Sequence, residues 1–418
     1  MNYNTSTLRQ LIKPAIIIGA LGYLVDIYDL ILFSIVRSTS LKDLGYTGDQ
    51  VMIQGFHLLN MQMIGMLLGG IAFGVLGDKI GRVALLFGSI LIYSAANIAN
   101  GCVHTVEAYG ICRFVAGFGL AGELGGGITL VSEVLPKEIR GYGTMMVSAV
   151  GMIGAVVAGL VADHVHWQTA YFVGGGLGLV LLALRVSVVE SGMFKQTQKH
   201  PQAVARGNFL SLFTNWNRFG KYIRCILVGL PIWFVVGILV TFSPEIAKAL
   251  KIQGTITAAH AIAFTYVGAT CGSFASGFFS QRIRSRKKVL SAFIFFTFAA
   301  MIAYFFATGQ PEATFYFIIL LLGVGIGYWA VFITVAAEQF GTNIRATVTT
   351  TVPNFVRGAI VPMTMAFTFI KTYKIGETQI GVINSAAIVG TLSILIALWA
   401  LRGMDETHGK DLDYIEPF

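Results

Sequence analysis

Twelve long apolar runs separated by short polar loops dominate this sequence. A membrane-spanning helix needs about 20 consecutive apolar residues, and each run is about that long. Only 12% of the 418 residues are charged, and the mean hydropathy is +0.74. Soluble domains carry roughly 25% charged residues, so we predict an integral membrane protein. The predicted spans lie at 14–36, 51–76, 83–103, 107–132, 143–163, 168–189, 222–243, 259–280, 289–308, 314–337, 346–370 and 380–401.

The basic residues predict how the spans are oriented. With the N-terminus inside, most of the 29 Lys and Arg residues fall in cytoplasmic segments and only six in outer loops. Because cytoplasmic loops carry an excess of Lys and Arg, we predict that both termini are cytoplasmic and that the membrane is a bacterial inner membrane. The net charge of +9 is spread over short loops without forming a continuous face, so nucleic-acid binding is not predicted.

Two pairs of similar sequence segments indicate a duplicated six-helix unit. Gly74–Arg82 reads GVLGDKIGR and Gly277–Lys288 reads GFFSQRIRSRKK, an offset of 203 residues. Glu133–Arg140 reads EVLPKEIR and Glu338–Arg345 reads EQFGTNIR, an offset of 205. Parallel repeats of this kind occur in transporters, with the substrate bound between the halves. We predict an N-terminal bundle at 1–189, a cytoplasmic linker at 190–221, a C-terminal bundle at 222–401 and a cytoplasmic tail at 402–418.

These motifs resemble the major facilitator superfamily. GVLGDKIGR is similar to the superfamily signature G-x-L-A/G-D-R/K-x-G-R between the second and third helices. The resemblance implies an all-α membrane fold of twelve transmembrane helices in two six-helix bundles related by a pseudo-two-fold axis. It also implies a gate at the cytoplasmic side, where acidic and basic groups cap helix ends and pair. The predicted gate residues are Gly74, Asp78, Gly81, Arg82, Glu133, Arg140, Glu338 and Arg345.

Three further segments resemble the metabolite:proton symporter family within that superfamily. Gly119–Gly141 is similar to its fourth-helix pattern, Gly22–Leu30 to its first-helix pattern and Glu190–Phe194 to the pattern after its sixth helix. The family transports carboxylate-bearing or zwitterionic metabolites, such as citrate, shikimate and proline. The departures from the family pattern are Tyr23 for Asn, Asp26 for Glu, Ile27 for Trp and Gly192 for Pro.

Ionisable residues within the spans are candidates for proton coupling, because each costs roughly 2.5–3.5 kcal/mol at membrane depth. Asp26 and Asp29 lie three residues apart, on one face of the first helix. The resemblance implies that Asp29 and Arg113 form a couple, so we predict that Asp29 carries the proton and Arg113 sets its affinity. A static buried ion pair is the alternative. Glu123 is either a proton relay or a packing residue.

Arg357 is the predicted substrate clamp, because it has no counter-charge in its own helix and its planar fork suits a carboxylate. Asn354 lies one turn away. Pairing of Arg357 with Asp26 from the other half is the alternative. The remaining predicted substrate contacts are aromatic and amide side chains, each of which could instead serve packing: Tyr28, Gln54, Asn60, Trp233, Tyr328 and Trp329.

These observations predict a secondary active transporter that imports a small carboxylate-bearing metabolite with protons. The substrate class is an organic acid, a zwitterion or a carboxylate siderophore, and we predict no enzyme activity, cofactor or metal site. The alternatives are a proton-antiport exporter, disfavoured because the fifth helix lacks a Pro at Gly151–Gly159, and a membrane sensor. Sodium could replace the proton. The expected partners are the substrate and the lipid bilayer, with the chain acting as a monomer.

Overall fold

The computed structural model describes residues 14–80, 82–134, 140–190, 209–375 and 378–409. Its first half is a bundle of six helices, called the N-terminal bundle. They are α1 (Pro14–Asp43), α2 (Asp49–Ile80), α3 (Arg82–Asn100), α4 (Val106–Val134), α5 (Arg140–His164) and α6 (Trp167–Glu190). The end of the molecule at which α1 begins is called the inner end, and the opposite end is called the outer end.

The second half, called the C-terminal bundle, contains the helices that follow residue 209. They are α7 (Ser211–Thr214), α8 (Trp216–Val228), α9 (Leu230–Phe234), a π-helical segment (Val235–Val240), α10 (Ser243–Ala249), α11 (Ala258–Ile283), α12 (Arg286–Phe305), α13 (Glu312–Ile326), α14 (Trp329–Glu338), α15 (Thr342–Gly358), α16 (Ile360–Thr372) and α17 (Gly381–Arg402). A two-residue hairpin of β1 (Lys374–Ile375) and β2 (Thr378–Gln379) precedes α17.

The outer surface of the bundles suits a lipid environment. Nine helical segments in the described part of the chain are long and apolar enough to cross a membrane. Their outward faces expose large apolar side chains, including Phe278, Phe295 and Trp399. Soluble monomers rarely expose contiguous apolar surface on this scale.

Three predicted spans are broken where the sequence analysis predicted continuous helices. The span predicted at 222–243 is divided among α8, α9 and the π-helical segment, and the span at 346–370 is divided between α15 and α16. Pro231 and Pro362 explain these two breaks, because each lacks the N–H that would bond to the carbonyl four residues earlier. The span at 314–337 is broken between α13 and α14 at Gly327–Tyr328.

The seventh span also begins earlier than predicted, at Trp216. Asn215 is the reason, because its side-chain oxygen accepts hydrogen bonds from the backbone N–H groups of Asn217 and Arg218. An Asn in this position caps a helix N-terminus. Part of the segment predicted as a linker at 190–221 is therefore helical, while residues 191–208 lie outside the described part.

The internal repeat is visible as a recurring helix contact. A Cβ atom at Gly117 of α4 would collide with the carbonyl oxygen of Gln62 on α2. In the second half, a Cβ atom at Gly323 of α13 would collide with the carbonyl oxygen of Thr265 on α11. Glycine allows the two backbones to approach in both places. Corresponding residues of the two halves thus make the same close contact.

Candidate substrate and proton-coupling site

Helix α1 arranges the charged groups of the site in four layers. From the inner to the outer end, the layers lie beside Gly22, Asp26, Asp29 and Arg37. The helix rises about 22 Å over this stretch, at about 1.5 Å per residue. Three carboxylates and three guanidinium groups of the described residues are buried in the three inner layers. They belong to Asp26, Asp29, Glu123, Arg113, Arg185 and Arg357.

The innermost layer is a buried ion pair between Glu123 of α4 and Arg185 of α6. Arg185 Nη1 donates to Glu123 Oε2 at 2.9 Å, and Nη2 donates to Oε1. Gly22 of α1 borders this pair, and a Cβ atom there would collide with both side chains. The fork geometry satisfies both carboxylate oxygens, as a buried ion pair requires.

The second layer joins the two bundles through Asp26 of α1 and Arg357 of α15. Arg357 Nη2 lies 4.0 Å from Asp26 Oδ2, and both side chains are fully buried. Arg357 Nη1 donates to Asn354 Oδ1 at 3.3 Å. The guanidinium carbon lies 5.5 Å from the ring centre of Trp233 and 5.8 Å from that of Trp329. Arg357 thus faces Asp26, its predicted alternative partner, and also two indole rings that were predicted to contact the substrate.

A small cavity adjoins Arg357 between the bundles. Its volume is about 30 Å³, which suffices for one or two water molecules but not for an organic solute. Its lining includes Tyr23, Trp233, Tyr266 and Trp329 beside the guanidinium. Trp329 Nε1 donates to Tyr23 Oη across the bundle interface at 3.0 Å. The described residues therefore show the two bundles closed around the cavity.

The third layer contains Asp29 and Arg113. Arg113 is a charged neighbour of Asp29, but no ion pair within 4.0 Å joins these two described residues. Arg113 Nη2 instead donates to Asn97 Oδ1 at 2.7 Å, and the guanidinium carbon lies 4.8 Å from the ring centre of Tyr171. Neither Asp29 oxygen has a direct hydrogen bond, and the side chain borders Gly174 of α6. The proton couple predicted for this layer stays a prediction.

The comparisons with known proteins identify the architecture that holds these layers. A family model described as Major Facilitator Superfamily matches residues 19–360. The chain belongs to this superfamily. The family prediction and the fold predicted with it, twelve spans in two six-helix bundles, are confirmed by this match and by a solved structure of the proton:xylose symporter XylE. That structure superposes with a TM-score of 0.71 at 15% identity, covering 98% of each chain.

Two curated relatives of this superfamily member are similar over nearly their whole length. The niacin transporter NiaP of Acinetobacter baylyi is 25% identical over 94% of this chain and 94% of the relative. The gentisate transporter of Corynebacterium glutamicum is 25% identical over 95% of this chain and 90% of the relative.

The fourth layer closes the outer end of this superfamily member. Arg37 of α1 forms an ion pair with Glu245 of α10, at 2.7 Å between Nη2 and Oε1. The guanidinium carbon lies 4.2 Å from the ring centre of Phe242, and the ring of Phe56 lies 4.0 Å from the same ring. Arg37 also donates to the carbonyl of Thr241 at 3.2 Å. These contacts join the two bundles at the outer end, where we predict an outer gate.

We expect reversal of the gate charge to impair transport. Arg37→Glu places two carboxylates together and removes the ion pair, in which Arg37 is buried and Glu245 is 22% exposed, so the bundles lose a stabilising contact at the outer end. We expect uptake to fall at least tenfold. In a chain whose four native cysteines are replaced, a cysteine placed at Ile27, which lines the cavity, should react faster with an impermeant thiol reagent. Arg37→Glu combined with Glu245→Arg should restore part of the uptake. Equal uptake by the wild type and both variants would contradict the gate.

The other predicted substrate contacts lie away from the cavity lining. Tyr28 donates to the carbonyl of Ala170, and Tyr328 donates to that of Val228, each at 3.0 Å and within its own bundle. Asn60 accepts a hydrogen bond from Thr364 of the opposite bundle at 2.9 Å. Gln54 is half-buried on α2. Of the predicted set, Trp233, Trp329 and Arg357 line the cavity, and Asn354 positions Arg357.

The predicted inner gate is only partly described. Gly74 of α2 faces Thr351 of α15, where a Cβ atom would lie 3.3 Å from the Thr351 methyl carbon. Glu338 forms an ion pair with Arg286 at 3.3 Å. Arg345 donates to two backbone carbonyls of its own bundle, at 3.1 and 3.2 Å. The side chains of Asp78, Arg82, Glu133 and Arg140, and all of Gly81, lie outside the described residues.

The segment after α17 is hydrogen-bonded to the inner end of α12. Glu406 accepts hydrogen bonds from the Ser285 hydroxyl and from the backbone N–H groups of Arg286, Lys287 and His408. Partial burial opposes ionisation of Glu406, but these hydrogen bonds lower its pKa to about 2. Glu406 therefore stays ionised at physiological pH. Its contribution to stability is present above pH 4.5 and is lost as the pH falls towards 2.

Sequence reasoning missed Arg185, Arg37 and Glu245. Arg185 lies inside the predicted span 168–189, so an intramembrane arginine was available as a signal. Arg37 lies one residue beyond the predicted first span, which ends at residue 36. Nothing in the sequence indicated that it pairs with Glu245, which is 208 positions away.

The Glu123–Arg185 pair separates the two roles considered for Glu123. Glu123→Gln leaves Arg185 buried without its partner, so we expect a lower melting temperature, since breaking such a pair costs about 3–5 kcal/mol. Glu123→Gln combined with Arg185→Gln removes both charges and should recover most of the stability. Thermal unfolding in detergent checks this, together with proton-driven uptake by the double variant. Normal coupling in that variant would exclude Glu123 as a proton relay.

Proposed function

We propose that this superfamily transporter imports a small aromatic carboxylate together with a proton by alternating access of its two bundles. Arg357 is the observation that carries the proposal. It is fully buried between the bundles, and two of its nitrogens, Nε and Nη2, have no direct hydrogen bond. A guanidinium with two unpaired donors is suited to donate two parallel hydrogen bonds to a carboxylate.

The surroundings of Arg357 favour an aromatic ring on that carboxylate. Trp233 and Trp329 flank the guanidinium, and Tyr23 and Tyr266 complete an aromatic wall of the cavity. Planar rings pack well against such side chains. The names of the two relatives agree, since niacin and gentisate are single-ring carboxylates. Carboxylate siderophores and citrate are larger or more highly charged, so they suit this site less well.

The buried carboxylates favour a proton as the coupling ion. Asp26 and Asp29 have no direct hydrogen bond to any of their four carboxylate oxygens. An ionised carboxylate without hydrogen bonds is costly at membrane depth, whereas a protonated one is far less so. We propose that Asp29 carries the proton and that Arg113 sets its affinity. The proposal places the monomeric chain in a bacterial inner membrane, with its inner end and both termini towards the cytoplasm.

A thermal-shift experiment on purified protein tests the substrate class. A ligand that binds only the folded state at 100 times its Kd stabilises it by about 2.7 kcal/mol. We expect nicotinate and gentisate to raise the melting temperature, while nicotinamide and xylose, which lack a carboxylate, leave it unchanged. Arg357→Ala should lose the shift, and Arg282→Ala, which removes an exposed arginine from α11, should keep it. An equal shift with nicotinamide, or a shift retained by Arg357→Ala, would contradict the proposal.

A further inference from the structure

The second layer has the features of an exchangeable ion pair. Arg357 and Asp26 approach only to 4.0 Å, no hydrogen bond joins them, and they belong to different bundles. The Glu123–Arg185 pair differs in each respect, because it is a doubly hydrogen-bonded fork within one bundle. This long contact without a hydrogen bond balances the charge of Arg357 and leaves the Nε and Nη2 donors available.

We propose that Asp26 pairs with Arg357 when no substrate is bound, and that the carboxylate of the incoming substrate displaces Asp26 from Arg357. This inference rests on the proposed function. In the empty transporter, Asp26 neutralises Arg357, so the bundles can close and reorient without cargo. In the loaded transporter, the substrate carboxylate pairs with the guanidinium of Arg357, and Asp26 no longer has a cationic partner.

Charge balance then links displacement to the proton. The three buried carboxylates and three guanidinium groups cancel in the empty site. A bound anion adds one negative charge, and one proton taken up from solution onto an Asp29 oxygen restores neutrality. That proton frees the charge of Arg113, which then compensates the displaced Asp26 one turn away on the same face of α1. The transporter thus carries one proton with each monovalent anion.

The charged groups around Asp26 offer no second cation, among the described residues, that is free to replace Arg357. The surroundings of Asp26 contain Tyr23 and Asp29 on α1, Tyr93 on α3, Tyr266 on α11, Glu123 on α4, Arg185 on α6 and Arg357 on α15. Arg185 is held by Glu123, and the tyrosines carry no positive charge. Protonation of Asp29 is therefore the step that supplies a cation to Asp26.

Removing Asp26 should strengthen substrate binding, an effect that a structural or ligand-contacting residue would not produce. The experiment measures nicotinate affinity by calorimetry between pH 6 and pH 8, and proton uptake with an indicator dye in weak buffer. In the wild type we expect about one proton bound per nicotinate and a Kd that rises up to tenfold per pH unit. In Asp26→Asn, Kd should be independent of pH and at least tenfold lower than that of the wild type at pH 8.

Asp26→Glu serves as the matched control, because it keeps the charge and should keep both the proton uptake and the pH dependence. Unchanged or weaker binding by Asp26→Asn with the wild-type pH dependence would overturn displacement. The absence of proton uptake by the wild type would overturn it too, even if the variant does not fold. If the wild type binds neither nicotinate nor gentisate, the proposed function itself fails, which is a different outcome.

Discussion

Asp29→Asn is expected to abolish accumulation of nicotinate against its gradient while exchange of nicotinate across the membrane continues. Asparagine resembles a permanently protonated aspartate, so Arg113 no longer has a partner whose charge changes. The loaded transporter can still reorient, but no proton moves with the substrate. Proteoliposomes measure both modes, with an imposed pH gradient for accumulation and internal unlabelled nicotinate for exchange.

Asp163→Asn is the control for this experiment, because Asp163 is an exposed carboxylate at the outer end that pairs with His260, at 3.8 Å. We expect it to accumulate nicotinate as the wild type does. If Asp29→Asn also accumulates nicotinate normally, Asp29 is not the proton carrier. If it loses exchange as well as accumulation, Asp29 has a structural role in place of the one proposed.

Arg357→Lys is expected to weaken nicotinate binding by about 10- to 100-fold. Lysine keeps the positive charge but presents a single ammonium group, so the paired hydrogen bonds to the carboxylate are lost. Hydrogen bonds to charged groups contribute about 1.5–3 kcal/mol each, which sets the size of the effect. The measurement is calorimetric affinity, with Arg282→Lys as a control that makes the same substitution at an exposed site.

An unchanged affinity in Arg357→Lys would argue that charge alone attracts the anion and that the fork is unimportant. The same variant should keep its preference for carboxylates over nicotinamide, because the charge remains. Loss of that preference would contradict the assignment of Arg357 to the carboxylate.

The membrane spans could be predicted from local patterns in the sequence, because the hydropathy and the length of a span are properties of one continuous segment. The twelve apolar runs and the repeat offset needed no knowledge of the packing. Arg357, Trp233 and Trp329 could be chosen because a buried arginine or a paired set of aromatic residues in an apolar span is unusual in itself. Their common cavity then follows from the fold.

Pairing between distant segments could not be predicted in the same way. Glu123 and Arg185 are 62 positions apart, and Arg37 and Glu245 are 208 apart. No local pattern joins such residues, because each pair forms only when two helices pack. Tyr28 and Tyr328 show a related limit, since their hydroxyl groups bond to backbone carbonyls inside their own bundles. Composition alone does not distinguish a cavity tyrosine from a packing tyrosine.

Proton-coupled import of an aromatic carboxylate can be measured as uptake into proteoliposomes without sodium. With the outside at pH 6 and the inside at pH 8, we predict that labelled nicotinate accumulates above its external concentration. A protonophore should abolish that accumulation, and added sodium should not change it. Accumulation that requires sodium or persists with the protonophore would exclude proton-coupled import, as would outward pumping of nicotinate from loaded vesicles under the same gradient.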